Sequence, residues 1–110
     1  MQTLLFHPKA LEEFQSLPKP VRVVFGELLR LLQAGVSLGM PASRPMSIVA
    51  PGVDELRVKG TTGQYRAFYL KKSSAGILVL RAFHKKTQTT PDSEIRLARK
   101  RLKDDLKEYL

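Results

Sequence analysis

Residues 53–70 read Val53-Asp54-Glu55-Leu56-Arg57-Val58-Lys59-Gly60-Thr61-Thr62-Gly63-Gln64-Tyr65-Arg66-Ala67-Phe68-Tyr69-Leu70. Two runs rich in β-branched, aromatic and aliphatic residues flank a short stretch bounded by glycines, which is the pattern of a β-hairpin. Strands are expected at Val53 to Val58 and Gln64 to Leu70. Side chains two apart share a face of a strand, so Glu55, Arg57 and Lys59 lie on one side and Leu56 and Val58 on the other. If Gly60 to Gly63 closes the hairpin in simple register, Lys59 stands opposite Gln64 and Arg57 opposite Arg66. Like charges set directly across a sheet are unfavourable, so this pairing points to an anion between them. Phosphate suits the planar arginine fork, and a neighbouring lysine adds a compact charge.

Downstream, Ile77 to Phe83 reads as a third strand, reached through a turn at Lys71 to Gly76 that contains Ser73 and Ser74. Connections this short favour an antiparallel meander. At the end of that strand Arg81-Ala82-Phe83-His84-Lys85-Lys86 brings a third basic element out of the sheet. A histidine titrates near neutrality and can take or give a proton there. Pro91 to Tyr109 is a helix, with Ile95, Ala98, Leu102, Leu106 and Tyr109 on one face and Arg96, Arg99, Lys100, Arg101 and Lys103 elsewhere. Thr90 suits its cap, and Asp92 and Glu94 suit its positive end.

Upstream, Val36 to Gly52 is a long loop punctuated by Gly39, Pro41, Pro45 and Pro51. Before it, two amphipathic helices form a hairpin. Ala10, Leu11, Phe14 and Leu17 recur at helical spacing after Pro8, and Val21, Val24, Phe25, Leu28, Leu31 and Leu32 do so between Pro20 and Gly35. Thr3 to Phe6 is a short opening strand. The order is β-α-α-β-β-β-α, an α+β fold in which a small antiparallel sheet packs against an N-terminal helical hairpin and a C-terminal helix. Residues 1–110 form a single domain.

Nineteen Lys and Arg against ten Asp and Glu give a net charge of +9, a field that attracts polyanions, nucleic acid first. With no cysteine there is no disulfide framework, thiol nucleophile or Cys-rich zinc site, and two histidines offer little to a metal. Neither metal nor cofactor is expected. No run is long and apolar enough for a signal peptide or a membrane span, so no membrane partner and a cytoplasmic location are expected.

Three stretches together resemble a known family. Val53-Asp54-Glu55-Leu56-Arg57-Val58-Lys59, Gly63-Gln64-Tyr65-Arg66-Ala67-Phe68-Tyr69 and Phe83-His84-Lys85-Lys86-Thr87-Gln88-Thr89-Thr90-Pro91 look like the phage-derived, HigB-like branch of the RelE/ParE toxin superfamily. The resemblance extends over nearly the whole chain, from Leu17-Pro18 to the Ile95, Ala98 pattern. It implies the toxin of a type II toxin-antitoxin system, a ribosome-dependent mRNA endoribonuclease neutralised by a helix-turn-helix, HigA-like antitoxin. The implied reaction is metal-independent attack of a ribose 2′-hydroxyl on the adjacent phosphate, leaving a 2′,3′-cyclic phosphate and a 5′-hydroxyl.

Carried over by position, the catalytic set is Arg57, Lys59, Arg66, His84 and Lys86. Arg66 with Arg57 would stabilise charge on the phosphoryl oxygens, Lys59 or His84 would be the general base, and Lys86 would serve the leaving group. Arg81, Lys85, Arg96, Arg99, Lys100 and Lys103 would bind RNA and the ribosome. The sequence departs from relatives that place a tyrosine near the start of the last helix, where it has Asp92-Ser93-Glu94-Ile95; Tyr109 reads as core. Two other readings share the fold: a non-catalytic, ParE-like inhibitor of DNA gyrase, which needs no basic cluster, and a decayed toxin kept as a nucleic-acid-binding module.

Overall fold

The hairpin forms in the register that its turn dictates. β3 (Val53–Gly60) runs antiparallel to β4 (Gly63–Ser73), with Arg57 opposite Arg66 and Lys59 opposite Gln64. β5 (Gly76–Lys85) adds antiparallel to β4, placing Lys85 against Gln64, His84 against Tyr65 and Phe83 against Arg66. The structure, a computed structural model, describes residues 1–73 and 76–109, and of residues 72, 73 and 105–109 the backbone alone. The turn at Ser74 and the inward face assigned to Leu106 and Tyr109 lie outside the described residues and side chains.

Two short strands complete a five-stranded sheet of order β1-β5-β4-β3-β2. β1 (Leu4–Phe6) pairs parallel with β5, so the sheet is mixed where an antiparallel one was expected. A parallel neighbour needs a crossover, and the chain supplies one through both helices and three strands. β2 (Ser43–Pro45) lies inside the segment read as loop and pairs with β3, Arg44 facing Glu55. Three residues ending in proline carry no alternation that would reveal a strand.

α1 (Pro8–Gln15) and α2 (Lys19–Gln33) cover one face of the sheet. The His7 ring caps α1 by accepting from the Lys9 N–H, and Pro8 takes the first helical turn, where its missing N–H costs nothing. Gly35, at φ +89°, ends α2, its N–H bonding Leu32 O while the Val36 N–H returns to Leu31 O. Phe25, Leu29, Leu56, Val58, Tyr65 and Val79 lie in the core beneath these helices. Val24 and Leu31, expected inward, are exposed, and Leu29 fills that place. α3 (Asp92–Tyr109) covers the lower half of the other face, with Ile95, Ala98 and Leu102 against Phe68, Leu80 and Phe83. No helix among the described residues is long and apolar enough to cross a membrane.

β1 reaches only as far as Val79, so the rest of the outer edge of β5 would be unpaired. Glu13 of α1 meets that edge at Ala82: its carboxylate accepts from the Ala82 N–H and holds the two terminal Arg101 nitrogens at 2.7 Å. Arg81 binds the same carboxylate and that of Glu94, and Arg101 donates to Leu80 O. One acidic residue thus ties α1, β5 and α3 together.

Burial alone would raise the Glu13 pKa, but the Arg101 hydrogen bonds and the charges of Arg81 and Arg101 more than reverse this and hold it below the ordinary carboxylate value. A carboxylate with a depressed folded-state pKa contributes stability above its unfolded value of 4.5 and loses it as the pH falls through the folded value. Glu13→Gln is therefore expected to be destabilised near neutral pH and to lose less stability than wild type on acidification below about pH 4.5. Urea unfolding from pH 6 to pH 3 measures this. Parallel curves for the two proteins would remove Glu13 from the acid response.

Candidate functional site

The face of the sheet that carries α3 is apolar where the helix packs and basic above it. Alternation along three strands builds this pattern in rows, Arg57, Arg66 and Phe83 in one, Lys59, Gln64 and Lys85 in the next. Between the arginines and the α3 core sits Glu55, fully buried. Its Oε1 meets Arg44 Nε at 3.1 Å, Arg66 Nε at 3.4 Å and Arg57 Nε at 3.9 Å, and its Oε2 accepts from the Thr90 hydroxyl at 3.3 Å. The anion foreseen between Arg57 and Arg66 is in part the protein's own carboxylate.

One carboxylate does not neutralise three guanidinium groups. The Nε atoms of Arg57 and Arg66 are buried without a hydrogen-bond partner among the described residues. Arg66 is fixed by Gln64 Oε1 and by Tyr65 O at 3.3 Å, with only 2% of its side chain exposed, whereas Arg57 is 24% and Arg44 40% exposed. Burial lowers the Arg66 pKa, Glu55 opposes that, and Arg57 and Arg44 lower it further. Arginine stays charged regardless. The result is an excess of positive charge beside a groove of about 410 Å³ lined by Val24, Leu28, Pro41, Arg57, Lys59 and Arg66.

Lys59 is exposed at the hairpin end of this face. Lys85 lies across the sheet from it, half-buried. Its ammonium is held below the ordinary lysine range by burial and then by Arg66, with Glu55 opposing and Arg44 and Arg57 adding to the effect. Lys85, read from sequence as a binding residue, therefore stands within the arginine field. Lys86 follows on the surface, beside Gly63, Gln64 and Thr87 around a second cleft of about 360 Å³.

His84 does not join this group. Its side chain points to the opposite face, where it stacks on Tyr65 with ring centroids 4.6 Å apart and planes 15° from parallel. Of the residues expected to bind RNA, Arg96, Lys100 and Lys103 are exposed along α3. Arg81 is engaged by Glu13 and Glu94, and Arg99 bonds Ile48 O and Val49 O, tying α3 to the 46–50 segment. Glu55 and Arg44 were not singled out as site residues. Glu55 lay on the basic side by alternation, a signal that was available, whereas Arg44 reaches the site only through β2.

The fold is that of the RelE toxins. The chain is similar to the free-state structure of a double arginine-to-alanine mutant of the E. coli toxin RelE, with 21% identity, a TM-score of 0.56, and 92% of this chain and 97% of that chain covered. It is also similar to a chain of the intact E. coli RelBE toxin-antitoxin complex, with 20% identity, a TM-score of 0.47, and 79% of this chain and 100% of that one covered. Residues 12–103 match the family described as Phage derived protein Gp49-like, and the chain belongs to that family. No curated protein matches it. The family resemblance read from the three sequence stretches is thereby met.

Proposed function

We propose that the protein is the toxin of a toxin-antitoxin pair and cleaves mRNA on the ribosome, by attack of a 2′-hydroxyl on the adjacent phosphate. The observation that carries this reading is the cluster of Arg44, Arg57 and Arg66 around a single buried carboxylate, with Lys59 and Lys85 on the same face. An excess of fixed cationic donors in a partly desolvated place is what a developing phosphorane charge requires. Nothing comparable is needed to inhibit an enzyme by surface contact alone.

Within this reading Arg57 and Arg66 hold the phosphoryl oxygens. The base is a lysine of the row above them. Lys85 suits the task, because it stands within the arginine field and burial and Arg66 lower its pKa toward that of a usable base. The proton of the 2′-hydroxyl passes to that amine, the 2′-oxygen bonds to phosphorus, and the departing 5′-oxygen takes a proton from Lys86 or Lys59. His84, on the other face, has no part in proton transfer. The exposed Arg96, Lys100 and Lys103 bind the ribosomal RNA backbone, and a helix-turn-helix antitoxin restrains the toxin.

Induced expression with primer extension on a defined transcript tests the reading. Wild type is expected to arrest growth with cuts in the message, and Lys85→Ala to abolish the cuts. In purified ribosome assays, the rate with Lys85→Ala should lose the rise with pH that wild type shows. Arrest with intact message would refute the nuclease reading, and full cleavage by Lys85→Ala would return the base to Lys59.

A further inference from the structure

His84 is held with more care than a bystander requires. One face of its ring lies against Tyr65, itself buried in the core under the helical hairpin. Its Nε2 is fixed at 3.1 Å from Thr62 O at the tip of the β3–β4 turn. Gly63 leaves the room for this: a Cβ there would stand 2.7 Å from His84 Nε2, and the backbone at φ +133° is one that side chains avoid. The ring is thus fixed in plane and position.

Its other face is open to a different environment. Tyr65 is the cross-strand neighbour of His84, so the stack runs along the inter-strand direction, and the next position outward is beyond the edge of β5. β1 pairs with β5 only to Val79 and does not reach that position. What lies there is a cleft of about 510 Å³ between the ends of α1 and β5 and the start of α3, lined by Leu17, His84, Lys85 and Lys86 and, deeper along the edge, by Glu13 and Glu94, whose charge Arg81 meets. An aromatic ring backed by a second ring, facing an open cleft with two lysines at its rim, is the arrangement that proteins use to hold an unpaired base of a single strand.

We propose that His84 is a stacking platform for a nucleobase of single-stranded RNA, in the cleft between α1 and the outer edge of β5. The choice of RNA rests on the nuclease reading. A strand crossing the end of the sheet lays a phosphate on the arginine face and a neighbouring base on His84, with Lys85 and Lys86 contacting the backbone between them. The platform takes any base, because every base offers a π-face, and it explains a well-fixed histidine on the side of the sheet away from the arginines.

The test uses the full chain and a single-stranded 2′-O-methyl oligoribonucleotide carrying one 2-aminopurine, which cannot be cut because the nucleophile is blocked. Wild type is expected to quench the fluorophore on binding. His84→Phe keeps a flat ring with no titratable nitrogen and is expected to bind within about twofold of wild type. His84→Ala is expected to weaken binding about tenfold and to lose the quenching, in line with the loss of one base–aromatic stack. If His84→Phe binds as weakly as His84→Ala, or neither differs from wild type, or wild type does not quench, the platform is overturned. Quenching that depends on the ring in a protein that does not cut mRNA would leave the platform standing and refute the nuclease.

Discussion

Glu55→Gln is expected to lower the unfolding free energy by about 3–5 kcal/mol, the cost of leaving buried charge uncompensated. Glu55 has no exposed surface and its Oε1 lies within 4 Å of three guanidinium groups, the Arg66 one almost fully buried with it. A glutamine of the same shape fills the space but brings an amide dipole where a full negative charge stood. Arg44 and Arg57 can swing partly into solvent and recover hydration; Arg66 cannot. The same variant is expected to regain much of its loss in tens of millimolar phosphate, because an anion that binds the folded state alone stabilises it by mass action. Urea unfolding of wild type and Glu55→Gln, with and without phosphate, measures both effects. A loss below about 1 kcal/mol would mean that the arginines do not depend on the carboxylate, since that is the range of an exposed ion pair.

The register that places Arg57 against Arg66 was legible because two local facts fix it, the two-residue period of a strand and the four-residue turn from Gly60 to Gly63. The helices were legible for the same reason, with phase errors at Val24 and Leu31, where a wide apolar stripe spills past the buried face. What escaped was non-local. Arg44 meets Glu55 through β2, a strand too short to show a pattern, and Glu13 meets Arg101 across 88 positions of sequence. His84 is a different case. Alternation from Phe83, which packs with α3, already puts His84 on the other face, but the grouping of His84-Lys85-Lys86 by charge hid it.

These placements change how the basic composition is used. The +9 charge is not a diffuse coat. Arg81, Arg99 and Arg101 are spent within the fold, on Glu13, Glu94 and backbone carbonyls of the 46–50 segment and β5. These bonds fix α3 over the lower half of the sheet. α3 does not cover the upper half, and there Arg44, Arg57 and Arg66 share the single carboxylate of Glu55. The same residue type serves both halves, and what separates them is the supply of carboxylates: Glu13 and Glu94 meet Arg81 and Arg101 below, whereas Glu55 alone serves Arg44, Arg57 and Arg66 above.

Arg66→Lys tests whether those donors act on the reaction or only on binding. The substitution keeps the positive charge but loses the planar fork that Gln64 and the Tyr65 carbonyl orient. A ground-state phosphodiester needs little beyond a nearby positive charge, so binding of an uncleavable RNA is expected to change less than about fivefold. The transition state spreads charge over equatorial oxygens at set positions, and losing an aimed donor there is expected to slow cleavage about 10²–10³-fold. Single-turnover cleavage on programmed ribosomes, read beside the affinity for the uncleavable RNA, separates the two. Equal losses in rate and affinity would assign Arg66 to binding alone, and a rate within about threefold of wild type would be too small for the loss of an oriented donor. A fall in rate with binding held is the outcome required by a guanidinium that is only 2% exposed and held in place by Gln64, the Tyr65 carbonyl and Glu55.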